Sequence, residues 1–229
     1  MKIVKILFQY LILPVAIAAL LWLTIQSIME PVNFNKEKAQ REEVAIQRLK
    51  DLRDLQVAFK GVYGHFSPTI DSLKDFYNNG KIDVELRIGS DDDSLAVANT
   101  AKIKKANPKI TDKELYQRYL EGESVVCRLK SQIPVKDTLF AHRANFSVDS
   151  LGFIPFSGKQ PILMESIIKT VSGVQVPLFE ASMPYKSLLR GMDNQLRINL
   201  DAEREDTGRY PGLKVGSVTA PNNNAGNWE

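Results

Sequence analysis

The chain has 229 residues and a mass of 25.7 kDa, with 30 basic and 27 acidic side chains for a net charge of +3. Hydrophobic residues make up 44% and charged residues 25%, with a single cysteine, which excludes a disordered polyelectrolyte, a collagen-like chain and a disulfide-rich miniprotein. So small a basic excess also argues against nucleic acid as a partner, because phosphate binding needs clustered positive charge.

The charge is unevenly placed. Residues 6–29 carry none, and Lys2 and Lys5, ahead of them, supply two of the three net charges. As a helix this run spans about 36 Å, enough for a hydrocarbon core of about 30 Å with some tilt. Pro14 inside it is tolerable in a membrane helix. The competing reading is a cleaved signal peptide, with Lys2 and Lys5 as its basic start and Ala16-Ile17-Ala18 as a small-x-small cleavage site. Cleavage there would leave Ala19-Leu20-Leu21-Trp22-Leu23 as a greasy mature terminus, which favours an uncleaved signal anchor. Lys2 and Lys5 favour a cytoplasmic N-terminus, whereas Lys36, Lys38, Arg41, Arg48 and Lys50 pull the other way. A short anchor ahead of a folded domain behaves as a signal sequence, so the N-in form is expected. The partition is then residues 1–5 cytoplasmic, 6–29 transmembrane, 30–64 an amphipathic stalk helix and 65–229 a periplasmic domain. This makes a single-pass inner-membrane protein.

Pro31 is expected to separate the span from a second helix over residues 35–63. There Ala45, Leu49, Leu52, Gln56, Phe59 and Tyr63 recur at steps of three and four and form one face, which Leu55 and Ala58 widen. Arg48, Lys50, Asp51, Arg53 and Asp54 cover the opposite side. The face suits packing on the chain's own domain or on copies of itself, and its width favours the first. Gly61 and Gly64 mark the helix end. A short helix over 69–77 follows, with Asp71 or Ser72 near its start. Asn78-Asn79-Gly80 is a turn, and Ile82, Val84, Leu86 and Ile88 alternate with polar residues as a half-buried strand does. Helices are expected over 94–105 and 112–121, the second with a capping box from Thr111 and Glu114. Residues 124–134 read as a strand. Residues 162–170 and 174–183 flank Ser172-Gly173 as a hairpin. Leu196, Ile198 and Leu200 alternate, which predicts another strand. The tail 221–229 is polar, with Trp228 near its end. The fold class is α+β: a transmembrane helix and a long amphipathic helix, then an antiparallel-sheet domain with short helices.

Chemistry is sparse. His65 and His142 lack metal-ligand neighbours, and one cysteine with two histidines makes structural zinc untenable. Cys127 alternates with Val125 and Leu129 and reads as a core residue; nothing in the pattern supports a Cys127–His142 nucleophilic pair. Phe156-Ser157-Gly158-Lys159 resembles the end of a phosphate loop, but the first glycine is missing and Gln160 stands where a hydroxyl would hold magnesium. Asp91-Asp92-Asp93 suits a helix N-terminus better than a calcium loop. The reading assigns no catalytic residue, cofactor or metal ligand. Asp71-Ser72-Leu73, Asp93-Ser94-Leu95, Asp137-Thr138-Leu139 and Asp149-Ser150-Leu151 resemble the O-glycan acceptor triplet of secreted Bacteroidota proteins, with helix capping accounting for at least two. Asn145-Phe146-Ser147 fits the N-glycan acceptor pattern.

Gln56-Val57-Ala58-Phe59, then Gly64-His65-Phe66-Ser67-Pro68 and Leu73, resembles the helix end of a pseudopilin. In that family an apolar N-terminal helix runs into an amphipathic stretch ending in Gln-x-Ala-aromatic, then Gly-x-aromatic-Pro and a Leu-bearing helix. Residues 222–229, from Asn222 to Trp228 and Glu229, resemble more faintly the closing loop of the major pseudopilins of type II secretion. That loop ends in Asn-Trp and binds calcium through acidic side chains. Here Asn stands where the family has Asp, Ser67 separates Phe66 from Pro68, and Glu30 is the first acidic residue, so the prepilin-peptidase motif is missing. The chain as a whole also resembles a group of membrane-anchored Bacteroidota envelope proteins. The resemblance implies a non-enzymatic subunit of a secretion or pilus-like envelope machine. Its partners would be inner-membrane lipid and other envelope proteins, copies of itself included. The alternatives are a bitopic scaffold that never enters a filament and, third, a membrane-tethered periplasmic enzyme. Trp228 is expected to anchor the tail.

Overall fold

The computed structural model of the chain describes residues 12–143 and 146–229. Residues 1–11, with Lys2, Lys5 and the start of the expected span, and Asn145 of the N-glycan triplet lie outside the described residues. By packing, the chain divides into two compact units. One comprises residues up to 54 and 149–229; the other comprises residues 55–148.

The first helix, α1, runs without a break over Leu13–Tyr63, 51 residues with Pro31 inside it. The expected separation at Pro31 is therefore absent. A proline removes one helical hydrogen bond, the one its missing N–H would give to the carbonyl of Ser27. No glycine follows to stop the helix there, and Phe34, three residues on, is buried, so packing carries the helix past the proline. Its apolar beginning has a mean hydropathy of 1.6 and is wholly exposed on the chain itself. This is one helix long and apolar enough to cross a membrane. Gly64, at φ 79°, closes it through an N–H to Lys60 O bond of 2.8 Å.

In the first unit, a three-stranded antiparallel sheet has the order β3-β4-β5, from Leu163–Val171, Val174–Pro184 and Gly212–Gly216. Ser172 and Gly173 join β3 to β4 with φ of 51° and 82°, the two positive values of a type I′ turn, so the hairpin is as expected. On one face of the sheet Phe179, Ala181, Met183 and Val215 are fully buried. With Ala45, Leu49 and Leu52 of α1, and with Tyr185 and Leu188, they make the core of this unit. A short helix, Tyr185–Leu188, packs on β4 and β5.

Residues 194–206 differ from expectation. They form a helix, Asn194–Asp206, and not a strand. Asp193 caps it by accepting from Leu196 N at 2.7 Å, and Arg197 pairs with Asp201 one turn on. Leu196 and Leu200 are also an i, i+4 pair, so three alternating residues fit either period. The flanking Arg, Ala and Glu residues favour helix.

The second unit holds the end of α1, helix α2 (Ile70–Asn79) and a two-stranded antiparallel ribbon of β1 (Lys81–Ile88) and β2 (Cys127–Pro134). Helices Ser94–Ala106 and Asp112–Leu120 lie between the strands in sequence. The Thr111–Glu114 capping box is present, and α2 starts, as expected, at Thr69, whose side chain accepts from Ser72 N with Asp71 in the first turn. The core contains Leu55, Phe59, Phe66, Leu73, Phe76, Leu115 and Val125. Phe59 meets Phe76 edge-on at 5.3 Å and Tyr63 at 4.5 Å.

Candidate functional site

The helix face singled out by its spacing is largely interior. Ala45, Leu49, Leu52 and Gln56 have no exposed surface, and Phe59 keeps 6%. Tyr63, the last member, is 54% exposed, with its ring 4.5 Å from that of Phe59 and 5.8 Å from that of Phe76. Gln56 is a buried amide with a defined task. Its Nε2 donates to Ser67 O at 2.9 Å, and Ser67 N donates to its Oε1 at 2.9 Å. That double bond pins the chain where it turns back after α1.

Charged residues on α1 tie it to the short helix Tyr185–Leu188 and to loops of the first unit, a role the spacing did not reveal. The buried Tyr185 hydroxyl donates to Glu42, and Arg204 lies 5.1 Å from the ring centre. Burial, reinforced by the bond to Glu42, pushes the phenol well above its ordinary range. Arg41 donates to the carbonyls of Leu188 at 3.2 Å and Arg190 at 2.9 Å. Arg48 donates to Phe153 O at 2.7 Å; burial lowers its guanidinium pKa, with Asp51 opposing. A signal for these roles would have been the Arg41-Glu42 pair on a helix whose apolar face already needs a sheet.

The tail is built into the edge of β5. Asn227 N donates to Lys214 O at 2.9 Å, and Lys214 N donates to Asn227 Oδ1 at 3.0 Å. Gly226 bridges Val215 in antiparallel fashion. Trp228 is half-buried with its indole laid over Gly226, where a Cβ would overlap the ring. Its indole N–H is buried and has no acceptor among the described residues. Asn222 Oδ1 accepts from Asn224 N at 3.1 Å in an Asx turn. Glu229 accepts from Arg53 at 2.7 Å, which holds its carboxyl below the ordinary value. Arg53, placed by its spacing on the solvated side, is thus a tether for the tail.

The remaining chemical candidates are absorbed by local structure. Cys127 is buried, and burial together with Asp112 pushes its thiol pKa up, with Lys104 opposing. It lines a cavity of about 420 Å³ with Lys104, Asp112 and the Asp91–Arg128 ion pair at 3.3 Å. A raised thiol pKa disfavours the nucleophilic thiolate, and His142 is exposed. Ser157 is buried, its hydroxyl bonded to Ile154 O at 2.7 Å and to Gln160 N at 2.9 Å, so the segment is a self-closed turn. Asp93 caps its helix through Leu95 N and Ala96 N. No group of three potential metal ligands occurs among the described residues.

Compared with known proteins, the chain matches no family model, no curated protein and no solved structure.

Proposed function

We propose that this chain is a non-enzymatic, membrane-anchored subunit of a secretion or pilus-like envelope machine, acting by assembly and protein–protein contact. One observation carries the reading: a single 51-residue helix joins a wholly exposed apolar beginning to a face buried in folded structure. Such a helix makes anchor and domain one mechanical element. Exposed apolar surface of that extent needs lipid or a neighbouring helix to cover it. The pseudopilin-like segment from Gln56 to Leu73 supports the same reading, and Gln56 has a fixed structural task there. The anchor would be single-pass in the inner membrane, with residues from 30 onward in the periplasm.

Burial of Leu49, Leu52 and Gln56 favours a second reading, a bitopic scaffold that never enters a filament. With that face occupied by the chain's own core, lateral packing between copies would fall to the apolar run alone. Crosslinking the full chain in membranes separates the two. A ladder of self-adducts supports the filament subunit, whereas one hetero-adduct supports the scaffold. Release of the chain by carbonate wash would overturn both.

A further inference from the structure

The first unit contains a cavity of about 340 Å³ whose walls come from two places. One wall is α1 from Gln26 and Met29 to Glu37; the other is Met192 and Asp193, in the turn before the helix Asn194–Asp206. Gln26 and Met29 belong to the uncharged run, so the folded unit reaches the level of the run's end. The first buried residue of α1 is Phe34, five positions beyond Met29, or about 7.5 Å along a helix. The headgroup layer on each side of a bilayer is roughly 5–8 Å deep. No length of bare stalk remains between the two.

We infer that this unit sits directly on the bilayer, with the turn at Met192 in the headgroup layer and lipid headgroups filling the cavity. The inference rests on the membrane anchoring proposed above. The cavity wall selects among headgroups. Glu30 and Asp193 have no cation within ion-pair distance among the described residues, Glu37 is paired with Arg41 at 2.5 Å, and no lysine or arginine lines the cavity. The occupant is therefore the ammonium of a zwitterionic phosphatidylethanolamine headgroup, which such a wall attracts and an anionic headgroup would not satisfy. Strand β4 runs from the hairpin tip to Pro184, 11 residues, so Ser172 lies about 36 Å along the strand from the end that leads to Met192.

The test uses the full chain in phosphatidylethanolamine-containing vesicles, with Cys127→Ser removing the native thiol. A fluorophore is placed at Met192→Cys, at the neighbouring exposed Asn194→Cys or at Ser172→Cys. Lipids carrying a nitroxide on the headgroup should quench the first two several-fold more than the third. Brominated acyl chains should quench Trp22 in a Trp228→Phe background, reporting the anchor separately. Quenched Trp22 with residues 192 and 194 no more quenched than 172 overturns the seating and leaves the anchor standing. Unquenched Trp22 overturns both. For the headgroup, Glu30→Gln with Asp193→Asn, which keeps the helix cap, should lower phosphatidylethanolamine retention in native mass spectrometry several-fold. Unchanged retention overturns that assignment.

Discussion

Gln56 and Ser67 exchange two hydrogen bonds, side-chain amide to backbone amide, in a pocket where both residues are fully buried. The glutamine occupies a core position of α1 because a buried chain reversal needs both a donor and an acceptor. Gln56→Leu keeps the volume but strands Ser67 N–H and C=O away from water. Unsatisfied buried groups cost about 1–3 kcal/mol each, so the full chain in detergent should lose roughly 2–5 kcal/mol in denaturant unfolding. A loss below 1 kcal/mol would show that the reversal is held by other contacts.

The apolar face of α1 should respond according to burial and not position in the repeat. Leu52→Ala and Phe59→Ala each empty a packed site and should cost roughly 2–5 kcal/mol. Lys50→Ala should stay within about 0.5 kcal/mol. Tyr63, half exposed at the end of the same stripe, should fall well below Phe59 when truncated. Equal losses at Lys50 and Leu52 would contradict the assigned face.

Tyr185, at the start of the short helix after β4, makes one of the polar contacts that hold α1 to the first unit. Tyr185→Phe leaves the ring packing intact and removes one bond to a carboxylate, an expected loss of about 1.5–3 kcal/mol. The phenol is held protonated by burial and by Glu42, so its ionisation, followed by ultraviolet absorbance, should occur above the ordinary tyrosine range. Because the folded pKa is raised, this stability is complete below the ordinary tyrosine value and is lost only as pH climbs toward the folded one. Glu42→Gln should bring the ionisation down.

Local chemistry made some of this fold legible and long-range pairing hid the rest. Ser172-Gly173 announced its hairpin and Thr111 with Glu114 its helix start, because each signal lies within a few residues of its effect. The α1 face was legible because one helix carries its whole period. The helix Asn194–Asp206 was misread because Leu196, Ile198 and Leu200 satisfy a two-residue and a four-residue step alike. Arg53 was read as solvated charge and Arg41 and Glu42 were given no packing role, since their partners stand more than 140 residues away. The division into two units depends on residues 149–229 packing into the same unit as α1 up to Asp54, which no local pattern announces.

The tail should loosen in acid. Its Glu229 carboxyl is held below the ordinary value chiefly by the bond from Arg53. A depressed folded pKa gives a contribution present above the ordinary glutamate value and lost as pH falls through the depressed one. Trp228 emission in a Trp22→Phe background should therefore change in that acidic window. Arg53→Ala should move the change up toward the ordinary glutamate range. A transition unaffected by Arg53→Ala would mean the tail is held without this pair.

Calcium should leave the tail unchanged. In the pseudopilin loop that it resembles, acidic side chains hold the ion, and hard cations need several oxygen ligands. Here Asn222 Oδ1 and Asn227 Oδ1 already accept backbone N–H groups, and the Glu229 carboxylate is committed to Arg53. Recruiting them would break the bonds that hold the tail on β5, in return for two neutral amide oxygens and a single carboxylate. A ligand that binds the folded state alone raises stability by mass action, so the thermal midpoint should match in millimolar calcium and in chelator. Trp228→Ala should lower that midpoint in both conditions alike, because the indole covers Gly226 whether or not an ion is present. A rise of several degrees with calcium would show that the asparagine loop rearranges to coordinate it, and would strengthen the pseudopilin reading.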